Sequence, residues 1–136
     1  MIKLLLNFLL ILCYALPAFA TAPSSEQLTG KVIEKTWQKS QQSYCQGGSN
    51  YYVLQVDNEE VVLNSERDDE VEEADFLEIQ AQLADLVGQQ VTVTGQFVEK
   101  FFSYEDHCPP MAQCIAQDIT CHWFRVEHVD EDYPSR

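Results

Sequence analysis

From residue 28 onward the chain alternates between two hydrophobic periods, and each switch marks an element. In LTGKVIEKTWQ (28–38) an apolar centre, Val32-Ile33, follows a glycine and predicts a first strand. KSQQSYCQGGSN (39–50) is polar and glycine-bearing, the composition of a loop. YYVLQV (51–56) alternates strictly, with Tyr52, Leu54 and Val56 on one face and Tyr51, Val53 and Gln55 on the other. DNEE reads as a turn, and EVVLNS (60–65) returns as a third strand to give a hairpin. The period then lengthens. In ADFLEIQAQLADLVG (74–88), Phe76, Ile79, Leu83 and Leu86 recur at steps of three and four, with Ala84 and Val87 alongside. That is the stripe of an amphipathic helix, and Gly88 closes it as a left-handed C′ residue. QQVTVTGQFVEKFF (89–102) reverts to alternation, with Val91, Val93 and Phe97 on one face and Thr92 and Thr94 on the other. Gly95, in mid-strand, marks a bulge or bend. TCHWFRVEHV (120–129) is the last strand, and an acidic tail follows it.

The order is three strands, one helix, two strands. It predicts an all-β fold with one helix, a five-stranded barrel (β-β-β-α-β-β) whose helix plugs one open end with its apolar stripe. Gly30 and Gly95 let the strands coil tightly enough to close. The rival architecture is a small α+β domain with an open antiparallel sheet.

Three stretches carry a resemblance: LADLVGQQVTVTGQF at the helix-to-strand junction, LTGKV in the first strand, and YYVLQVD in the second. Across residues 28–129 the chain resembles the OB-fold. More narrowly, it resembles exported bacterial domains of unknown function related to the tRNA-anti-like OB group. The resemblance is architectural and brings no catalytic motif. The group's name implies nucleic acid, an implication that charge opposes below.

The first twenty residues, MIKLLLNFLLILCYALPAFA, place one lysine before an apolar run and end in Ala-Phe-Ala. This is the layout of a secretory signal cleaved after Ala20, too short and wrongly flanked for a membrane span. A polar tail (21–27), the OB-like domain (28–129) and an acidic C-terminal tail (130–136) complete the expected organisation. The expected location is periplasmic or secreted, with no stable membrane anchor after cleavage. Cys13 leaves with the leader, so Cys45, Cys108, Cys114 and Cys121 remain. Four cysteines in an oxidising compartment favour disulfides, with three complete pairings open. Any complete pairing joins Cys45 to one cysteine of the 107–122 segment.

The formal net charge is −14. Basic residues are few and scattered, so the track that displaces counterions from phosphates is missing, and nucleic acid is not an expected partner. A cationic envelope or extracellular protein is. The densest acidic run, ERDDEVEEAD (66–75), reads as a solvated linker leading into the first helical turn, where carboxylates suit the helix dipole. Its sharper readings are a docking surface for a cationic protein or a loose divalent-ion site, although the run lacks the glycine and the spaced ligands of an EF-hand loop.

Reactive chemistry concentrates in HCPPMAQCIAQDITCH (107–122). His107, Cys108, Cys114, Cys121 and His122 are zinc-type ligands, yet no Cys-x-x-Cys pair is present. No nucleophile-elbow or papain-like sequence surrounds any histidine. No metal, cofactor or catalytic residue is therefore expected; a metal-binding or hydrolytic role of this segment is the alternative. Among the aromatics, Tyr52, Phe76, Phe97 and Phe124 fit buried faces, whereas Tyr51 and Trp123 fall on opposite faces or near loops. Trp37, Tyr44, Phe102 and Tyr104 lie by the two loops that flank the usual OB binding face, and they are the candidate contacts of a non-enzymatic, protein-binding module.

Overall fold

The structure is a computed structural model and describes residues 24–38, 40–104 and 117–131. The expected leader (1–20), His107, Cys108, Cys114 and the end of the acidic tail (132–136) lie outside the described residues.

Alternation builds the first three strands as expected. In β1 (Glu26–Lys35) Val32 turns to one side and Ile33 to the other. In β2 (Tyr51–Val56) Leu54 and Tyr52 share the side of Val32, while Tyr51 and Val53 share that of Ile33. Two residues, Asp57 and Asn58, connect β2 to β3 (Glu59–Leu63), with Asp57 at a left-handed φ of 54°. The turn is thus two residues shorter than DNEE, which is the compact hairpin connection.

β4 (Gln90–Phe102) pairs antiparallel with β1 and with β5 (Ile119–Glu131), giving a closed barrel in the order β1-β2-β3-β5-β4. The open-sheet alternative is excluded, and the OB-like barrel stands. Closure needs close backbone approach. A Cβ on Gly95 would meet the carbonyl oxygen of Arg125, and one on Gly30 that of Gln55. The expected irregularity falls between Thr94 and Gly95, where β5 carries the extra residue, Glu127.

The last gap is closed differently. β3 meets β5 in parallel at one pair, Leu63 with Phe124. Asn64 secures that seam from a left-handed φ of 57°: its N–H donates to the Phe124 carbonyl at 2.9 Å, and its Oδ1 accepts from the Val126 N–H at 2.8 Å.

The long helix is numbered α2 (Glu73–Asp85), because a shorter one precedes it. Leu83 of the helix and Leu86, the residue that caps its C-terminus, are buried against Val32, Leu54, Val91, Val93 and Phe124, with Ile79 partly covered. Val87, expected alongside this stripe, is 42% exposed. Gly88 is left-handed, φ 84°, and its N–H donates to the Val32 carbonyl at 2.8 Å. The helix end is therefore pinned to β1.

A second apolar cluster lies on the outer face of the barrel, where sequence periodicity assigned no core. Tyr51, Val53, Val62, Ile119, Cys121 and Trp123 are all buried there. Tyr51 and Trp123 are thus core residues. Phe97 departs in the opposite sense: it is 57% exposed, although it shares the parity of Val91 and Val93. β4 and β5 each run thirteen residues and outlast the barrel, so positions that face inward at Val93 face solvent by Phe97. An edge contact with Phe124, 5.1 Å between centroids, ties its ring to the core.

Candidate functional site: the capped outer face and the β3–β5 cleft

The loop expected over 39–50 contains a helix, α1 (Gln41–Cys45). Ser40 caps it, its hydroxyl accepting the Ser43 N–H at 3.2 Å. Five residues cannot hold a helix by hydrogen bonds alone, so α1 exists because of what anchors it. Cys45 is joined to Cys121 of β5, with 5.6 Å between the Cα atoms. The Cys45 carbonyl accepts from the Ser65 hydroxyl, and the Tyr44 carbonyl accepts from Arg67 Nε at 2.6 Å. The Arg67 guanidinium lies 3.9 Å over the Tyr44 ring, whose edge meets Phe102 at 6.2 Å. Burial pushes the Tyr44 phenol pKa up, and Arg67 pulls it partly back. Together these anchors seal the second cluster. OB barrels take oligonucleotides and oligosaccharides on the face of strands two and three, between these loops; here Tyr44 and Cys45 of α1 pack onto Tyr51, Val53 and Val62 of that face.

Beneath the cap lies a charged node. Asp68 is 8% exposed and takes a two-pronged pairing from Arg125, Nε to Oδ2 at 2.7 Å and the second guanidinium nitrogen to Oδ1 at 2.8 Å. Trp123 Nε1 also donates to Oδ2, at 3.0 Å. Burial pushes the Asp68 pKa up, but the Arg125 and Trp123 hydrogen bonds outweigh it and hold the carboxyl below its usual 3.8. Asp69 pairs with Lys100 at 2.8 Å, which lowers its pKa too. The acidic run is therefore not wholly a solvated linker. Its middle is bolted to the barrel, and Glu73 and Asp75 occupy the first turn of α2 as expected.

Below their single pairing, β3 and β5 splay apart and leave a cleft of about 450 Å³. Val62, Trp123, Phe97 and the Cys45 end of α1 supply apolar wall; Glu60, Gln46 and His122 supply the polar groups. Gln46 is 4% exposed, and its Nε2 has no acceptor among the described residues.

No protein family, characterised protein or solved structure matches this chain. Its site must be read from its own geometry.

The four candidate aromatics divide. Tyr44 and Phe102 are half-buried and pack on each other and on Arg67. Trp37 and Tyr104 are 48% and 40% exposed. Cys121 is held in a disulfide and offers no thiolate to a metal, which removes one ligand from the 107–122 set. Among the described residues no group of three or more potential metal ligands converges. Sequence reading missed α1, Asp68 and Gln46. For α1 a signal was available, a serine N-cap ahead of QQSYC. For Asp68 none was, since one carboxylate in a charge run looks like the next.

Proposed function

We propose that this protein is an exported, non-enzymatic OB-like binding module that engages a cationic protein partner. The observation that carries the reading is the capped face. Tyr44 and Cys45 of α1 pack into the apolar cluster on the side of strands two and three where an OB barrel would lay an oligonucleotide, on a chain of net charge −14. Both features disfavour a polyanion, and the acidic charge favours a cationic partner. Exposed aromatic rings remain elsewhere, at Trp37, Phe97, Phe101 and Tyr104, and such rings anchor protein interfaces. The disulfide supports export to a periplasmic or extracellular location, and no described helix is long and apolar enough to cross a membrane.

The test is capture from an envelope extract by the immobilised, non-reduced protein at low and at high salt. The expected result is a basic polypeptide held at low salt and released at high salt. That polypeptide should be lost when Trp37 and Tyr104 are both replaced by serine, or when the exposed carboxylates of α2 are neutralised. Capture of no basic polypeptide by the wild-type chain at either salt overturns the reading.

A further inference from the structure

We propose that the cleft between β3 and β5 is a peptide-binding site that takes an extended, basic segment of a partner as an added strand. The inference rests on the preceding reading that the partner is a protein, and it names the place and the chemistry of contact.

Three independent features converge on this cleft. The first is backbone. β3 is hydrogen-bonded to β2 along one edge, and β5 to β4 along one edge. Their other edges meet only at Leu63 and Phe124. Glu59–Val62 and Ile119–Trp123 therefore present open strand edges to the cleft among the described residues. An open edge is a template for another strand, and peptide recognition by strand addition uses such edges. The second feature is Gln46. A buried amide donor without an acceptor is costly, and a native fold tolerates few of them. Gln46 lines the cleft, and its Nε2, covered as the side chain now lies, gains an acceptor if the side chain turns toward a peptide carbonyl there. The third is side-chain chemistry. Val62, Phe97 and Trp123 form an apolar wall, and Glu60 stands at the rim, where Lys35 pairs with it at 2.7 Å and a peptide lysine would compete for its carboxylate; the molecule as a whole is strongly acidic. A strand directs alternate side chains to opposite sides. The matching segment thus alternates apolar residues, set against the wall, with basic residues facing the rim.

The probe is the acetylated, amidated peptide (Lys-Val)₄, titrated into the isotope-labelled, disulfide-intact protein. Saturable shifts are expected at the Gln46 side-chain amide and at the backbone of Glu60, Val62 and His122. The peptide (Glu-Val)₄ should not bind, and (Lys-Val)₄ with alternate backbone nitrogens methylated should bind at least tenfold more weakly. Gln46→Leu should weaken binding about tenfold or more while leaving the unfolding midpoint unchanged or raised, because it removes an unpaired buried donor. Phe97→Ser, at an exposed position, should also weaken it. The proposal is overturned by shifts confined to the acidic surface of α2, by equal binding of the methylated peptide, or by a concentration-dependent dimer that fills the cleft without peptide. If Gln46→Leu captures the envelope partner as well as the wild type does, the cleft is wrong and the general reading survives. If (Lys-Val)₄ fills the cleft as described but nothing is captured, the general reading falls instead.

Discussion

Removing the Cys45–Cys121 bridge by the double substitution Cys45→Ala, Cys121→Ala should cost far more than two buried thiols would. The two residues are 76 apart in sequence. In the chain-entropy model, freeing a loop of that length in the unfolded state costs about 4.5 kcal/mol at 25 °C; measured bridges more often fall at about 2–4 kcal/mol. The bridge also has a local effect in the folded state. α1 has five residues and no intrinsic stability, so without the tether its docking relies on the Ser65 and Arg67 hydrogen bonds and the Tyr44 packing. Equilibrium urea unfolding should show a loss of about 3–4 kcal/mol. The urea slope should steepen somewhat, because the freed chain exposes more surface. Hydrogen exchange should show Tyr44 and Gln46 amides opening in the variant while Val32 and Val93 stay protected. A loss below about 1 kcal/mol, well short of the range for native bridges, would refute the reasoning. So would unchanged protection of α1.

Asp68→Asn should destabilise by about 2–4 kcal/mol at pH 7, since among the described residues it leaves the largely buried Arg125 with Glu70 alone as a charged partner. The Asp68 pKa is lowered by folding, so its contribution is present above the unfolded value and is lost as pH falls through the folded one. Urea midpoints of wild type and variant should therefore stay apart from pH 7 to pH 5 and converge only below about pH 4. Gly95→Ala should cost about 3 kcal/mol or more by thermal or urea unfolding, because the new methyl meets the Arg125 carbonyl oxygen across the β4–β5 pair. Asn64→Ala should cost about 1–3 kcal/mol. It orphans the buried Val126 N–H and leaves alanine in a left-handed conformation, so exchange at Val126 should accelerate most. A single-stranded oligonucleotide should give no saturable binding even at low salt, as read by fluorescence anisotropy.

Much of the barrel was legible because burial imposes a period. The alternation in YYVLQV and EVVLNS and the three-and-four spacing of Ile79, Leu83 and Leu86 are local consequences of which face meets the core. Gly95 announced its bulge in the same local way. The misreadings at Phe97, Tyr51 and Trp123 share one cause. Parity says which side of a strand a residue faces, but not whether anything covers that side. Phe97 keeps the inward parity where β4 has already left the barrel, and Tyr51 and Trp123 take the outward parity under a cap that comes from another loop.

The candidate site was less legible, since it depends on partners distant in sequence. Asp68 meets Arg125 across 57 residues, and Cys45 meets Cys121 across 76. The sequence by itself determined the strand order, the amphipathic helix, the acidic character and the presence of cysteines able to pair. Those are properties of composition and short-range period. Tertiary structure alone decided that Cys45 takes Cys121, that α1 packs onto the outer face of the barrel, and that β3 and β5 part below Leu63. Each of these is a choice among surfaces brought together only when the barrel closes, and no local pattern encodes it.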